Sequence, residues 1–158
     1  MREAGRKAAA VAAAVGVIAT AACGGGGSSR LSKADYEKKL RAEGSALRSD
    51  LAGLNLSGAT NVKALAPKLG KAQTQVEQTA SEIDDLKPPA DAAVDNNKIA
   101  HSLHGFAKVF GQMQGAAAKG DRAKLASYVA GLQSAAQEGS QATQDLKAKG
   151  YDIGDFGR

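Results

Sequence analysis

The sequence predicts an all-α protein, an antiparallel up-down-up-down four-helix bundle carried behind a cleaved leader and a flexible tether. Three observations predict it. Between Lys33 and Gly150, apolar residues recur at three- and four-residue intervals in four segments of roughly 22 to 30 residues. The breaks between segments are short and rich in Gly, Pro and Asn, and short connections favour antiparallel neighbours. Nothing between them alternates with period two, so strands are not expected.

The chain opens with Arg2, Arg6 and Lys7, followed by an apolar run from Ala8 to Ala22 interrupted by Gly16 and Thr20. A basic segment, an apolar segment and small residues at the end form an export signal occupying residues 1–22. As a helix the run reaches about 22 Å at about 1.5 Å per residue, short of a hydrocarbon core of roughly 30 Å, so a cleaved leader is expected over a spanning anchor.

Thr20-Ala21-Ala22-Cys23 resembles the lipobox of bacterial lipoproteins, with two small residues before the cysteine and Thr20 where an aliphatic residue usually stands. That resemblance implies cleavage between Ala22 and Cys23 and a diacylglycerol on the Cys23 thiol. Lipidation at Cys23, with more than one acyl chain, would hold the protein stably on the outer face of the membrane. An ordinary secreted protein with a spare thiol is the alternative. The Gly24–Ser29 stretch is a flexible linker, and residues 23–31 act as a tether with an r.m.s. reach of about 16 Å.

Segment one runs from Lys33 to Leu54, with Ser32 as N-cap and Asp35 three residues on. Its stripe is Tyr36, Leu40, Leu47, Leu51 and Leu54, and Asn55 to Thr60, containing Gly58, ends it. Segment two carries Val62, Leu65, Leu69, Ala72, Val76, Thr79, Ile83 and Leu86 before Lys87-Pro88-Pro89 stops it. Pro67 predicts a kink, or a short first turn with a helix starting at the proline. Segment three begins near Ala90 or Asp91 and runs to Lys119 with Ile99, Leu103, Phe106, Phe110, Met113 and Ala117 on one face. Gly120 is placed to end it and Asp121 to cap the next helix. Segment four presents Leu125, Tyr128, Val129, Leu132, Ala135, Gly139, Ala142 and Leu146, ending at Gly150. Its face from Ala135 to Ala142 lacks large side chains, so a neighbouring helix approaches closely there or Phe106 and Phe110 fill the space. The bundle thus spans residues 32–150, and the tail 151–158, with Tyr151, Ile153 and Phe156, either folds back over the bundle end or frays.

With its segments in place the chain resembles the small helical extracytoplasmic lipoproteins of high-GC Gram-positive bacteria. The resemblance rests on the Cys23 leader, the Leu31-Ser32-Lys33-Ala34-Asp35-Tyr36 start, the Leu86-Lys87-Pro88-Pro89-Ala90-Asp91 junction and the Gly150-Tyr151 close. It implies the fold and a cell-membrane location, and no particular activity. Such relatives commonly carry two further cysteines that could pair, one in the first helix and one near the C-terminus; this chain has neither.

Charge excludes one class of partner. The chain holds 21 basic and 16 acidic side chains; losing Arg2, Arg6, Lys7 and Glu3 with the leader leaves 18 minus 15, or +3. That is too mild for nucleic acid, and no basic tract carries interleaved aromatics. The single cysteine forbids an internal disulfide, so stability comes from packing, with few aromatics to supply it.

No motif points to catalysis, a cofactor or a metal. His101 and His104, the two histidines, fall opposite the apolar stripe of segment three, and no carboxylate or thiol at i±3 or i±4 on that helix completes a ligand set. Asp84 and Asp85, with Glu82 nearby, point in different directions and read as a solvated helix end. No nucleophile elbow, Glu-x-x-His or Cys-x-x-Cys-His occurs, and Gly24–Gly27 is not a phosphate loop. A non-enzyme is expected. Gly105, Gly111 and Gly115 sit on the polar side of segment three, each costing up to about 1 kcal/mol relative to Ala. His101, His104, Lys108, Gly111 and Gly115 form a candidate surface site, a shallow groove that another helix or a glycan would approach; neutral variation is the plainer account.

The leading functional expectation is a non-catalytic interaction or scaffold module of the cell envelope, with an envelope protein or polymer as partner and the membrane reached through Cys23. The alternative is a carrier or sensor holding a small apolar ligand between the helices, where Ala135, Ala136, Gly139, Ala142 and Thr143 leave room. A closed interior at that level counts against the alternative, and a cavity of several hundred Å³ favours it. A third reading, binding of anionic polymers, needs a one-sided basic face; Lys33, Lys38, Lys39, Arg41 and Arg48 are the candidates, diluted by Asp35, Glu37, Glu43 and Asp50.

Overall fold

The computed structural model describes residues 29–55, 61–154 and 156, which form an all-helical bundle. The leader, the Ala22–Cys23 junction, the tether up to residue 28 and the loop around Gly58 lie outside the described residues.

Helix α1 spans Lys33–Gly53. Ser32 caps it as the sequence predicts: its Oγ accepts from the Asp35 amide at 3.1 Å and donates to Asp35 Oδ2 at 2.6 Å. Helix α2 spans Val62–Asp84, capped by Asn61, whose Oδ1 accepts from the Ala64 amide at 2.9 Å. It starts at Val62 and not at Pro67, and runs through the proline. Pro67, exposed, is the sixth residue of the helix and lacks the amide that would bond the Lys63 carbonyl.

After Pro88 and Pro89, a 3₁₀ turn over Ala90–Ala92 leads into α3, Ala93–Lys119. Gly120 ends α3 with φ 75°, its amide bonded to the Ala117 carbonyl and that of Asp121 to Ala116. Gly150 repeats the device at φ 79°, with Gly150 bonded to Lys147 and Tyr151 to Leu146. Both positions need the left-handed region that glycine enters without strain.

The fourth segment is divided. Asp121 caps α4, Arg122–Ser127, through the Lys124 amide at 2.9 Å, and α5 follows as Val129–Ala148. The break falls at Tyr128, whose amide turns back to the Leu125 carbonyl in a tighter i→i−3 bond. The sequence carried no signal for it, since the apolar spacing passes through Tyr128 uninterrupted.

Helix α3 is the centre of the bundle, packed along α2 on one side and α5 on the other, while α1 is held chiefly by α2. Its two ends pack differently. At one end the first turn of α1, the last of α2, the first of α3 and the last of α5 meet, and Tyr36, Leu40, Ile83, Ile99 and Leu146 are buried. Each such side chain contributes about 1.5–3 kcal/mol of apolar burial. At the other end Leu51, Leu54, Val62, Leu65, Phe110, Met113, Leu125 and Leu132 are only half-buried.

The tightly packed end also contains polar groups, each satisfied. Tyr36 donates its phenol to Asn96 Oδ1 at 3.1 Å, and Asn96 Nδ2 donates to the Ile83 carbonyl at 3.0 Å, so one buried relay joins α1, α3 and the end of α2. Burial pushes the Tyr36 phenol far above its ordinary pKa. Asp95 is 2% exposed and receives Lys149 Nζ at 2.6 Å.

The tail folds back, the first of the two expected alternatives. Tyr151 stacks edge-on against Tyr36 with centroids 5.8 Å apart, under the Lys33 ammonium at 4.7 Å. Its phenol donates to Asp91 Oδ1 at 2.7 Å; burial, then that carboxylate, push its pKa up to about 12. Arg41 holds Asp152 at 2.7 Å, and Ile153 and Phe156 are buried. Among the described residues, apolar burial, the Tyr151–Asp91 hydrogen bond and the Arg41–Asp152 pair thus do what a disulfide to the tail would otherwise do.

Candidate functional site

The C-terminal half of α1 does not close on the bundle. Leu47 and Leu51 are half-buried although they continue the stripe of Tyr36 and Leu40. Between this half of α1 and helices α3 and α5 lies a cleft of about 500 Å³. Leu47 and Leu51 form one wall, Phe106 and Phe110 of α3 another, and Val76 and Ile99 lie deep inside it. Helix α5 contributes Ala136, Gly139 and Thr143, three of the five residues from which the sequence predicts room. Ala135 and Ala142, the other two, are buried. Both readings of the small-residue face hold in part: a Cβ on Gly139 would come within 2.6 Å of Ser102 Oγ, so α3 and α5 do approach closely. Beside that contact the two phenylalanines line the space without filling it.

Phe156 reaches the cleft from the tail and closes part of it against α1. The ring lies so near α1 that a Cβ on Gly44 would sit 2.3 Å from Phe156 Cδ2. Gly44 therefore permits the tail to dock, a role that its place in the helical pattern did not signal.

The wall is chemically quiet. Ser102 Oγ donates to the Ala135 carbonyl at 2.8 Å, Thr143 Oγ1 donates to the Ser140 carbonyl at 2.8 Å, and Ser140 Oγ accepts from Gln144 Nε2. Arg48, exposed on α1, is the charged side chain among the lining residues. Such an arrangement can hold an apolar body and offers no nucleophile with a base beside it.

The candidate surface stripe is not a free groove. His101 is exposed and meets Glu138 of α5 at 2.8 Å. His104 is half-buried between two carboxylates of α2, Glu77 at Nδ1 (3.1 Å) and Asp84 at Nε2 (2.8 Å). Its pKa is raised, first by the hydrogen bond to Asp84, against partial desolvation, and then by Glu77. Asp84, read from sequence as a solvated helix end, is thus an inter-helix partner. The carboxylates approach opposite ring nitrogens, so they clamp an imidazolium and do not converge on a point where a metal would sit. Among the described residues no three His, Cys, Asp or Glu groups are placed to hold a metal.

Of the rest of the stripe, Lys108 and Gly115 are exposed, with open space beside Gly115, while Gly111 faces Gln73 of α2 at 2.8 Å from a built Cβ. Gly105 lies 3.4 Å from Ala135 of α5 by the same measure. The groove reading treated α3 as having one buried face. Packed on both sides, it has its polar flank partly covered by α2, so α2 already occupies the approach at Gly111.

The basic residues of α1 are also partly committed. Lys33 covers the Tyr151 ring, Arg41 pairs with Asp152 and Arg48 lines the cleft, leaving Lys38 and Lys39 as exposed charges outside these contacts. That does not make a one-sided face for a polymer. Among the described residues no helix is long and apolar enough to cross a membrane. Comparison with protein-family models, with curated proteins and with solved structures finds no match to this chain.

Proposed function

We propose that this protein is a lipid-anchored extracytoplasmic carrier or sensor that holds a small apolar ligand in the cleft between α1, α3 and α5. The cleft carries the reading. Its volume, about 500 Å³, falls within the range of roughly 300–1,000 Å³ typical of ligand sites. Its large side chains other than Arg48 are leucine, phenylalanine, valine and isoleucine, which suits an apolar molecule, with Ser102, Ser140 and Thr143 among the smaller ones. The scaffold expectation finds less support: the exposed large apolar residues Val94 and Val129 stand in the first turns of α3 and α5, at opposite ends of the bundle, and form no patch. The anchor rests on the leader and Cys23, and places the cleft within a tether's length of the membrane.

Binding of the fluorescent apolar probe N-phenyl-1-naphthylamine to the full chain tests the ligand reading. The probe should brighten on wild type and not on Ala136→Trp, which fills the cleft from its exposed rim; no brightening on wild type refutes the reading. Cys23→Ala should release the protein from the membrane fraction, and unchanged retention removes the lipid.

A further inference from the structure

We infer that Phe156 is a displaceable plug: an apolar ligand entering the cleft takes the place of the ring and loosens the tail, which makes the protein a sensor with the tail as its output. This deepens the proposed function and rests on it. Of the described residues that line the cleft, Phe156 alone belongs to no helix. The residues just before it are fixed several times over. The Tyr151 phenol donates to Asp91 and its ring meets Tyr36 edge-on. Asp152 pairs with Arg41 and gives its amide to Glu37 Oε1 at 2.9 Å, and Ile153 is buried. Phe156 is held by the seat of its ring and by an amide bond to the Ile153 carbonyl at 3.4 Å, longer than the roughly 3.2 Å within which such bonds are usually made. Gly154 stands between the two parts at φ 60°, a conformation that glycine enters freely, so the ring can leave while Tyr151 and Ile153 stay.

The place of the seat explains why ligand and ring compete. Along α1 the cleft begins one turn beyond the buried Leu40 and opens toward the half-buried Leu47 and Leu51; along α3 it runs from the buried Ile99 to the half-buried Phe106 and Phe110. Gly44, against which the ring rests, lies at the closed end of this gradient. Apolar surface gains most where water is most fully excluded, so the position that would hold an apolar ligand best is the one the ring already fills. Two apolar bodies that share one position exclude each other. By linkage, a ring that lowers the affinity for a ligand is itself driven off by that ligand with the same coupling.

Titration of the full chain with N-phenyl-1-naphthylamine, together with fluorine NMR of a 4-fluorophenyl ring introduced at Phe156, tests the inference. A ring seated in about nine molecules of ten lowers the apparent affinity about tenfold, so Phe156→Ala should bind the probe about tenfold more tightly than wild type. Gly44→Ala, which unseats the ring and leaves it on the chain, should tighten binding in the same direction. On saturation with the probe the fluorine signal should narrow and move to the shift it has in the urea-unfolded chain. Weaker or unchanged binding by Phe156→Ala makes the ring a fixed wall and overturns the plug, as does a fluorine signal that stays in place at saturation; in both cases the cleft still binds and the proposed function stands. Failure of the probe to bind wild type overturns both.

Discussion

Gly44 and Phe156 offer the sharpest test of how this bundle is held. Gly44 lies inside α1, where Gly→Ala ordinarily stabilises a helix by about 1 kcal/mol. Here the added Cβ would fall 2.3 Å from Phe156 Cδ2, closer than carbon atoms pack, so the ring must leave its seat. Phe156 is 8% exposed, and its burial contributes about 1.5–3 kcal/mol. The loss exceeds the gain, so Gly44→Ala should destabilise the protein by about 0.5–2 kcal/mol. Once Phe156→Ala has removed the ring, the same substitution should stabilise by up to about 1 kcal/mol. The sign reversal is the signature of direct contact, with a coupling energy of about 1.5–3 kcal/mol in a double-mutant cycle. Urea unfolding followed by circular dichroism on wild type, both single variants and the double variant measures it. If Gly44→Ala raises stability equally in both backgrounds, the tail does not dock on α1.

Three further outcomes follow from the same geometry. Tyr36→Phe removes the donor to Asn96 in a site closed to water and should cost about 1–2 kcal/mol by urea unfolding; a change within error would mean the relay is not formed. His104 has a folded pKa raised above the unfolded value of about 6.5, so its contribution is full below that pH and is lost as pH rises through the folded pKa. Partial exposure keeps it to at most about 1 kcal/mol, and His104→Gln should lower stability at pH 5.5 and leave it unchanged at pH 9; the opposite pH order would refute the clamp. Asp152→Asn, breaking the Arg41 pair on an exposed surface, should cost less than about 1 kcal/mol in denaturation but increase proteolytic release of the tail.

The helices themselves were legible because their signals are local. Ser32, Gly120, Asp121 and Gly150 act within a turn of themselves, and the three-four spacing of Leu69, Ala72, Val76 and Ile83 reports a buried face wherever the partner lies. The small residues of segment four marked the level of the cleft, since missing volume on an inner face is visible in a sequence. The Tyr128 break was not legible, because a single tightened turn leaves the apolar spacing unaltered. Nor were the buried Asp95 and Asn96, whose place depends on Lys149, Tyr36 and the end of α2, distant in the chain.

By itself, then, the sequence determined the caps at Ser32, Gly120, Asp121 and Gly150, the buried stripe of α2 and of the first half of α1, and that a lone Cys23 follows an apolar run. Tertiary structure alone decided which flanks are covered and which stand apart. Periodicity gives a direction around one axis and says nothing of how many neighbours share it. For that reason His104 and Gly111 turned out to face α2, while Leu47 and Leu51, with the same pattern as Tyr36 and Leu40, came to line a cleft that Phe156 borders.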